Sequence, residues 1–178
     1  ILVCSDNGPE RGAGSAAHLR GFKTHLFEGG VRSPLVVWGP GFIDSDARGS
    51  VNATSYFSAI DLVPSLLELA DVAAPDVSFD GESMKPTLLG KSQASRQQPI
   101  FFRRPPDRDS FYGITDCPDL AMRDGKWKLL CEYDGSDAML FNLADDPGET
   151  QNLSAQEPEI AKTMIAEVVR WHESMPAD

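Results

Sequence analysis

The chain has 178 residues, a length that suits one domain or one domain plus an appendage. Its net charge of −11 and pI near 4.6 argue against nucleic acid or an anionic membrane surface as the main partner. No run approaches the roughly 20 apolar residues of a membrane span. The most apolar window, 56–74, is interrupted by Asp61, Pro64, Glu68 and Asp71.

The chain opens, without a methionine, on the apolar run Ile1–Cys4, and a Ser-Asp-Asn-Gly sequence follows at 5–8. This pattern predicts a buried strand that ends in a turn, with Cys4 as a core thiol. A strand needs neighbours to satisfy its backbone groups. We therefore expect a longer protein whose N-terminal part, with any signal peptide, is missing from this chain.

Asp6 and Asn7 lie at the carboxyl end of this predicted strand, where ligands gather in open α/β sheets. A carboxylate and an amide carbonyl are hard oxygen ligands that suit Ca²⁺ or Mg²⁺. The same residues are also common turn formers, so a plain turn is the alternative.

The next elements alternate between strand and helix. Residues 33–41 predict a second strand closed by Gly-Pro-Gly, and 58–72 show helical spacing with Pro64 in the first turn and Asp61 as N-cap. Residues 73–89 predict a connector that ends in a short helix. The polar stretch 91–98 is the expected boundary between a first layer, 1–92, and a second, 93–178.

The second half has a different pattern. Four short β-like runs begin near Pro99, Leu120, Trp127 and Met139, with turn signals between consecutive runs, and they predict a four-stranded antiparallel sheet. From Pro158 to about residue 174 an apolar stripe predicts an amphipathic helix that packs on this sheet. The loop 103–118 is long enough either to shape a substrate entrance or to be a mobile surface loop.

Cys117 and Cys131 flank the predicted turn at Asp124-Gly125 and would lie nearly opposite one another. The sequence is therefore compatible both with a disulfide between them and with two unbonded thiols. Further along, Asp146, Glu149 and Asn152 are interpreted as turn-capping residues rather than a second metal site.

Several motifs together resemble the sulfatases that use a formylglycine nucleophile. In the first half these are Asp6-Asn7-Gly8-Pro9-Glu10, Leu19-Arg20-Gly21-Phe22-Lys23, Glu28-Gly29-Gly30-Val31-Arg32 and Trp38-Gly39-Pro40-Gly41. In the second half they are Ala121-x-Arg123-x-Gly125-x-Trp127-Lys128-Leu129 and Leu140-Phe141-Asn142-Leu143-x-x-Asp146-Pro147-x-Glu149-x-x-Asn152-Leu153.

The resemblance implies a fold, ligands and roles. The expected fold is α/β: part of an alkaline-phosphatase-like sulfatase sheet, then a small four-stranded antiparallel sheet with a packed C-terminal helix. Asp6 and Asn7 would supply two ligands to Ca²⁺, and Lys23 would contact the sulfate and its bridging oxygen as a catalytic and substrate-binding residue. His18 and His25 flank Lys23 and would either reach the ligand or fill the loop.

No cysteine of the chain lies in Cys-x-Pro-x-Arg, the sequence whose cysteine becomes formylglycine in these enzymes. The resemblance therefore implies a sulfatase acting on sulfated sugars or aryl sulfates in the full-length protein, while the isolated chain would be inactive. A periplasmic, secreted or lysosomal location is expected. The alternatives are a phosphoryl-transfer hydrolase of the alkaline-phosphatase-like group and a non-catalytic fragment.

Overall fold

The computed structural model describes residues 1–104 and 117–176. By its internal contacts the chain divides into two compact units. The first contains Ile1–Cys4 and Leu35–Gln98, and the second contains Ser5–Pro34 and Pro99 onward. The residues 5–34, which hold the predicted site, thus share a unit with the C-terminal sheet.

The first unit contains a two-stranded antiparallel ribbon. Strand β1 (Leu2–Cys4) pairs with β2 (Leu35–Val37), and Val3 lies opposite Val36. Both predicted strands are present, but the prediction that β1 is buried and that Cys4 is a core thiol is wrong. Val3 and Val36 are 58% and 59% exposed, and Cys4 is exposed as well. In the described part of the chain β2 is the one strand that pairs with β1, so the apolar side chains of the ribbon stay uncovered.

Helix α2 (Leu62–Leu69) follows a short 3₁₀ turn, and its start at Leu62 agrees with the prediction from Pro64. Asp61 is the N-cap residue of α2, as predicted, but the prediction that its carboxylate accepts from the first turn of this helix is wrong. It accepts hydrogen bonds from the backbone N–H groups of Ser58 and Glu82 and pairs with Arg96 at 2.8 Å. Asp61 and Arg96 are both buried, so this ion pair is part of the interior of the first unit. A short helix, α3 (Lys85–Leu88), ends the connector, as expected.

The first unit also exposes much apolar surface. Eleven large apolar side chains of the described residues are at least two-fifths exposed, and all of them belong to this unit. They are Ile1, Val3, Val36, Trp38, Phe42, Val51, Ile60, Val63, Leu66, Val72 and Val77.

The second unit is built on the predicted four-stranded antiparallel sheet. Its strands are β3 (Ile100–Arg103), β4 (Leu120–Asp124), β5 (Trp127–Cys131) and β6 (Met139–Asn142), and they are ordered as in the chain. Most of the loop 103–118 lies outside the described residues. This sheet and the C-terminal helix (Pro158–Glu173) confirm the predicted organisation of this half.

The β4–β5 hairpin turns one residue later than the sequence suggested. Asp124 pairs with Trp127, so the two turn residues are Gly125 and Lys126, and Gly125 has the positive φ of +55° that a tight hairpin needs. Cys131 consequently lies opposite Leu120 rather than Cys117. Both cysteines are buried, and the structure contains no disulfide between them.

The sheet is covered on both faces. Helix α4 (Pro158–Glu173) buries Ala161, Met164 and Val168 against one face, and Pro158 begins the helix as predicted. The other face packs against Leu26 and Phe27, immediately before the short helix α1 (Glu28–Val31). Strand side chains alternate between these faces. No helix in the described ranges is long and apolar enough to cross a membrane.

Candidate functional site

The structure brings the two predicted site segments together through their backbones. The N–H of Gly8 donates to the carbonyl of Gly30 at 2.7 Å, and the N–H of Lys23 donates to the carbonyl of Pro9 at 2.9 Å. A Cβ on Gly8 would lie 1.8 Å from the carbonyl oxygen of Gly29. The approach is therefore possible only because residue 8 has no side chain.

Lys23 lies in a tight loop that its own backbone closes. The N–H of Gly29 donates to the carbonyl of Arg20 at 2.7 Å, and a Cβ on Gly30 would meet the carbonyl oxygen of His25 at 2.1 Å. Thr24 has a φ of +85°, which is strained for a β-branched residue. Such strain persists only where the surrounding structure enforces it, and it is common at functional sites.

The side chain of Lys23 is 41% exposed, and its Nζ lies 3.9 Å from Oε2 of Glu10. Glu10 had no predicted role, although it belongs to the same Asp-Asn-Gly-Pro-Glu motif as the two predicted metal ligands. At this distance and exposure the ion pair is weak. The ammonium group is consequently accessible to an anionic ligand.

Asp6 is exposed and Asn7 is half-buried at the end of β1. The Asn7 Nδ2 donates to the carbonyl of Gly8 at 2.8 Å, so the amide oxygen is not the atom engaged in that bond. Two such oxygens fit a hard cation, but Ca²⁺ takes about six to eight. Within residues 1–104 and 117–176 there is no group of three or more His, Cys, Asp or Glu residues that could hold a metal.

The two histidines beside Lys23 differ. His18 is exposed, whereas the ring of His25 lies 4.0 Å from that of Phe22. Burial, and then the positive charges of Arg104, Arg11 and Arg20, lower the pKa of His25. A neutral, packed imidazole agrees with the interpretation that His25 fills the loop.

A buried ionic cluster below α1 was not expected from the sequence. We define it as Glu28, Lys128 and Glu149. The Nζ of Lys128 lies 2.9 Å from Oε1 of Glu28 and 3.1 Å from Oε1 of Glu149; the second contact lacks hydrogen-bond geometry. The N–H of Glu28 donates to Oε2 of Glu149 at 2.7 Å. All three residues are at most 2% exposed.

Two arginines border this ionic cluster. The guanidinium of Arg123 lies 3.3 Å from Oε2 of Glu28. That of Arg20 lies 3.8 Å above the ring of Phe27 and donates to the carbonyl of Glu149 at 3.1 Å. A signal for the cluster was present in β5, since strand alternation places Lys128 on the same face as Leu130.

The pKa values of the two carboxylates in the cluster are shifted in opposite directions. Burial alone raises the pKa of Glu28, but Lys128 and Arg123 overcome it, and the net effect is a lowered pKa. Burial is also the main effect at Glu149, and there it keeps the pKa raised against the attraction of Lys128. Glu28 is therefore the more firmly ionised partner of Lys128.

Asp146 and Asn152, the other two polar residues considered in the 146–152 turn, are structural. Asp146 accepts hydrogen bonds from the backbone N–H groups of Thr150 and Gln151 at 2.8 and 2.9 Å. Asn152 accepts from the N–H of Leu140 at 3.0 Å. Both contacts confirm the turn-capping interpretation for these two residues, whereas Glu149 has the ionic role described above.

Comparison with known proteins agrees with this organisation. Residues 20–174 match the family described as N-sulphoglucosamine sulphohydrolase, C-terminal. Bovine arylsulfatase A (Bos taurus) is 31% identical over 94% of this chain and 36% of its own length. Choline-sulfatase of Rhizobium meliloti is 34% identical over 86% of this chain and 27% of its own length.

Solved structures share the fold. Ps i-CgsB, which has also been solved in complex with k-i-k-neocarrahexaose, superposes with a TM-score of 0.76 at 25% identity, over 96% of this chain and 36% of that one. The fold is thus the predicted α/β type, with alkaline-phosphatase-like sulfatases as its neighbours.

These matches show the family to which the chain belongs. It belongs to the sulfatase family whose C-terminal region is named after N-sulphoglucosamine sulphohydrolase, and it corresponds to the C-terminal portion of such an enzyme. The chain spans about a third of the length of the curated relatives that it matches.

Proposed function

We propose that this chain completes the active site of a longer sulfatase that hydrolyses sulfate esters, with Lys23 as the residue that contacts the sulfate group. The observation that carries the proposal is the hydrogen-bonded junction of the two site segments, at Gly8–Gly30 and Lys23–Pro9. The junction holds the Lys23 loop against the Asp6-Asn7 turn, and the Lys23 ammonium group is accessible there.

The chemistry of sulfate ester cleavage explains why these groups are useful. When the S–O bond breaks, negative charge grows on the bridging oxygen, and fixed positive groups stabilise this transition state more than the ground state. The Lys23 ammonium supplies such a charge. Asp6 and Asn7 offer two oxygen ligands to Ca²⁺, which when bound would neutralise charge on the sulfate oxygens.

The nucleophile and the other metal ligands would come from a part of the protein that precedes Ile1. Two observations support such a part. The chain spans 36% of bovine arylsulfatase A, and the eleven exposed apolar side chains all belong to the first unit. In this proposal residues 1–92 supply the last part of the catalytic domain and 93–178 its C-terminal subdomain.

The substrate class proposed is a sulfated sugar or an aryl sulfate. The names of the relatives, arylsulfatase and choline-sulfatase, support a sulfate ester rather than a phosphate ester. The complex of Ps i-CgsB with k-i-k-neocarrahexaose supports a carbohydrate as the alcohol part of the ester. A periplasmic, secreted or lysosomal location of the full-length protein stays a prediction.

The test is to measure turnover of 4-nitrophenyl sulfate and 4-nitrophenyl phosphate by the full-length protein and by its Lys23→Ala variant. We expect sulfate ester hydrolysis that falls by about 10²–10³ in the variant, since losing one transition-state charge donor commonly costs that much. Thermal melting should change little, because the Lys23–Pro9 bond uses the backbone N–H and the side-chain ion pair is weak.

Two further variants sharpen the result. Lys23→Arg should not restore turnover, since a planar fork does not replace a compact ammonium. Lys162→Ala removes an exposed lysine from α4 and should behave like the wild type. Near-normal turnover in Lys23→Ala would refute the assignment of Lys23. A preference for the phosphate ester, or no turnover by the folded full-length protein, would refute the proposed sulfatase activity.

A further inference from the structure

The ionic cluster Glu28, Lys128 and Glu149 connects the Lys23 loop to the sheet of the second unit. Glu28 begins α1, five residues after Lys23. Lys128 lies in β5, and Glu149 lies in the turn after β6. Glu28, at the end of the loop, lies 2.9 Å from the Nζ of Lys128 and donates its N–H to Glu149 at 2.7 Å, so the loop is fixed to two other parts of the chain. A 3.1 Å contact joins Lys128 to Glu149.

Backbone contacts restrain the residues between Lys23 and Glu28. The bond from Gly29 to Arg20 closes the loop, and the N–H of His25 donates to the carbonyl of Phe22 at 2.9 Å. The glycine at position 30 packs directly on the carbonyl of His25. A displacement of Glu28 would consequently displace Lys23 as well, because these contacts restrain the intervening backbone.

The contribution of the cluster to the free energy of unfolding does not by itself explain why charged residues hold this loop. Buried ion pairs often contribute no more to stability than apolar residues of similar volume, because desolvation offsets the attraction between the charges. What such a pair does supply is one defined geometry, since charged groups in a buried site tolerate few alternative arrangements.

We propose that Lys128, together with Glu149, is a positioning residue of the active site: it fixes Glu28 and thereby sets the position of the Lys23 ammonium group. This inference rests on the proposed role of Lys23 in sulfate ester hydrolysis. Lys128 itself is fully buried and does not touch the substrate.

The test uses a charge-balanced double variant, Lys128→Met with Glu149→Gln, in the full-length enzyme. One cation and one anion are removed, Glu28 keeps Arg123, and the amide oxygen introduced at position 149 can still accept from the N–H of Glu28. Burial raises the pKa of Glu149, so a neutral group is better tolerated at this position than at an exposed one. The variant should therefore fold.

We expect kcat per folded enzyme to fall at least tenfold in this variant, since a misplacement of about 1 Å can cost about 10² in rate. The discriminating measurement repeats the comparison in the Lys23→Ala background. If the cluster acts through Lys23, the double variant causes no further loss there, because the group that it positions is already absent. The control Lys162→Met replaces an exposed lysine of α4 and should not change kcat in either background.

The other outcomes are also decisive. An equal fold-loss in both backgrounds, or unchanged kcat, would refute the positioning role while leaving the sulfatase function intact. Full activity of Lys23→Ala itself would instead refute the assignment of Lys23, on which this inference rests. If the double variant does not fold, Lys128→Arg is carried through the same two backgrounds, since it keeps the charge but alters the reach of the donor.

Discussion

The close approach of Gly8 to α1 makes a quantitative prediction for Gly8→Ala. The new Cβ would lie 1.8 Å from the carbonyl oxygen of Gly29, whereas ordinary contact begins at 3.4 Å, so the two segments must separate by about 1.6 Å. The obstructing atom belongs to the backbone, and no side-chain rotation can relieve the clash. Because Gly8 has no positive φ, the effect is steric and not conformational.

The cost follows from two contributions. Forcing an extra carbon into a packed site costs about 1–3 kcal/mol. Separation also breaks the bond between the N–H of Gly8 and the carbonyl of Gly30, which is 2.7 Å long and lies between two buried residues. Leaving these groups unpaired costs about 1–3 kcal/mol more. We expect the free energy of unfolding to fall by about 2–6 kcal/mol.

Urea titration of the full-length protein measures this loss, and sulfate ester turnover measured alongside should fall because the Lys23 loop is displaced. The matched control is Gly39→Ala, where the nearest atoms to the new Cβ are side-chain carbons of Phe42 at 3.6 and 3.9 Å. This control should stay within about 1 kcal/mol of the wild type. If Gly8→Ala is as stable as Gly39→Ala, the inferred close approach of the two segments is wrong.

Three further predictions concern strain, pH and calcium. Thr24→Gly should raise the free energy of unfolding by about 1 kcal/mol, since glycine adopts the φ of +85° without strain; an unchanged or lower value in urea titration would contradict the strain. Burial, and then a hydrogen bond and repulsion from Asp119, raise the pKa of Glu132 to about 7. The stability that protonated Glu132 contributes to the folded protein is therefore complete below pH 4.5, the usual pKa of a glutamate, and is lost as the pH rises through about 7. Glu132→Gln should accordingly flatten the stability profile between these pH values, and an unaltered slope would exclude this role. The isolated chain should neither hydrolyse aryl sulfates nor bind Ca²⁺ tightly, because Asp6 and Asn7 provide two of about six to eight oxygens; a submicromolar site in calorimetry would refute the second point.

Local patterns were sufficient to predict most elements. The apolar stripe after Pro158 predicted α4, and the alternating runs between turn signals predicted the four strands, because these periods depend on neighbouring residues alone. The motif resemblance implied roles for Asp6, Asn7 and Lys23, and the structure adds the backbone hydrogen bonds that join their two segments. The β4–β5 turn was misplaced by one residue, since both Asp124-Gly125 and Gly125-Lys126 carry a glycine that suits a tight hairpin.

Burial and long-range pairing could not be predicted in this way. Cys4 and Val3 have the pattern of a buried strand, yet their exposure depends on which strands pair with β1. Asp61 has the spacing of a helix cap, but the buried Arg96, thirty-five residues later, takes its carboxylate. In both cases a residue distant in sequence decides the outcome.

The sequence by itself determined the family, the order of the elements and the residues proposed for sulfate and calcium, because spacing within short motifs carries this information. Only the tertiary structure decided that Glu28 meets Lys128 and Glu149, residues that are 100 and 121 positions away. Glu28 and Glu149 look like ordinary surface charges in their local sequence, and strand alternation indicates burial for Lys128 alone. They are buried together because the Lys23 segment and the C-terminal sheet pack face to face, and a charge enclosed there needs an opposite charge beside it.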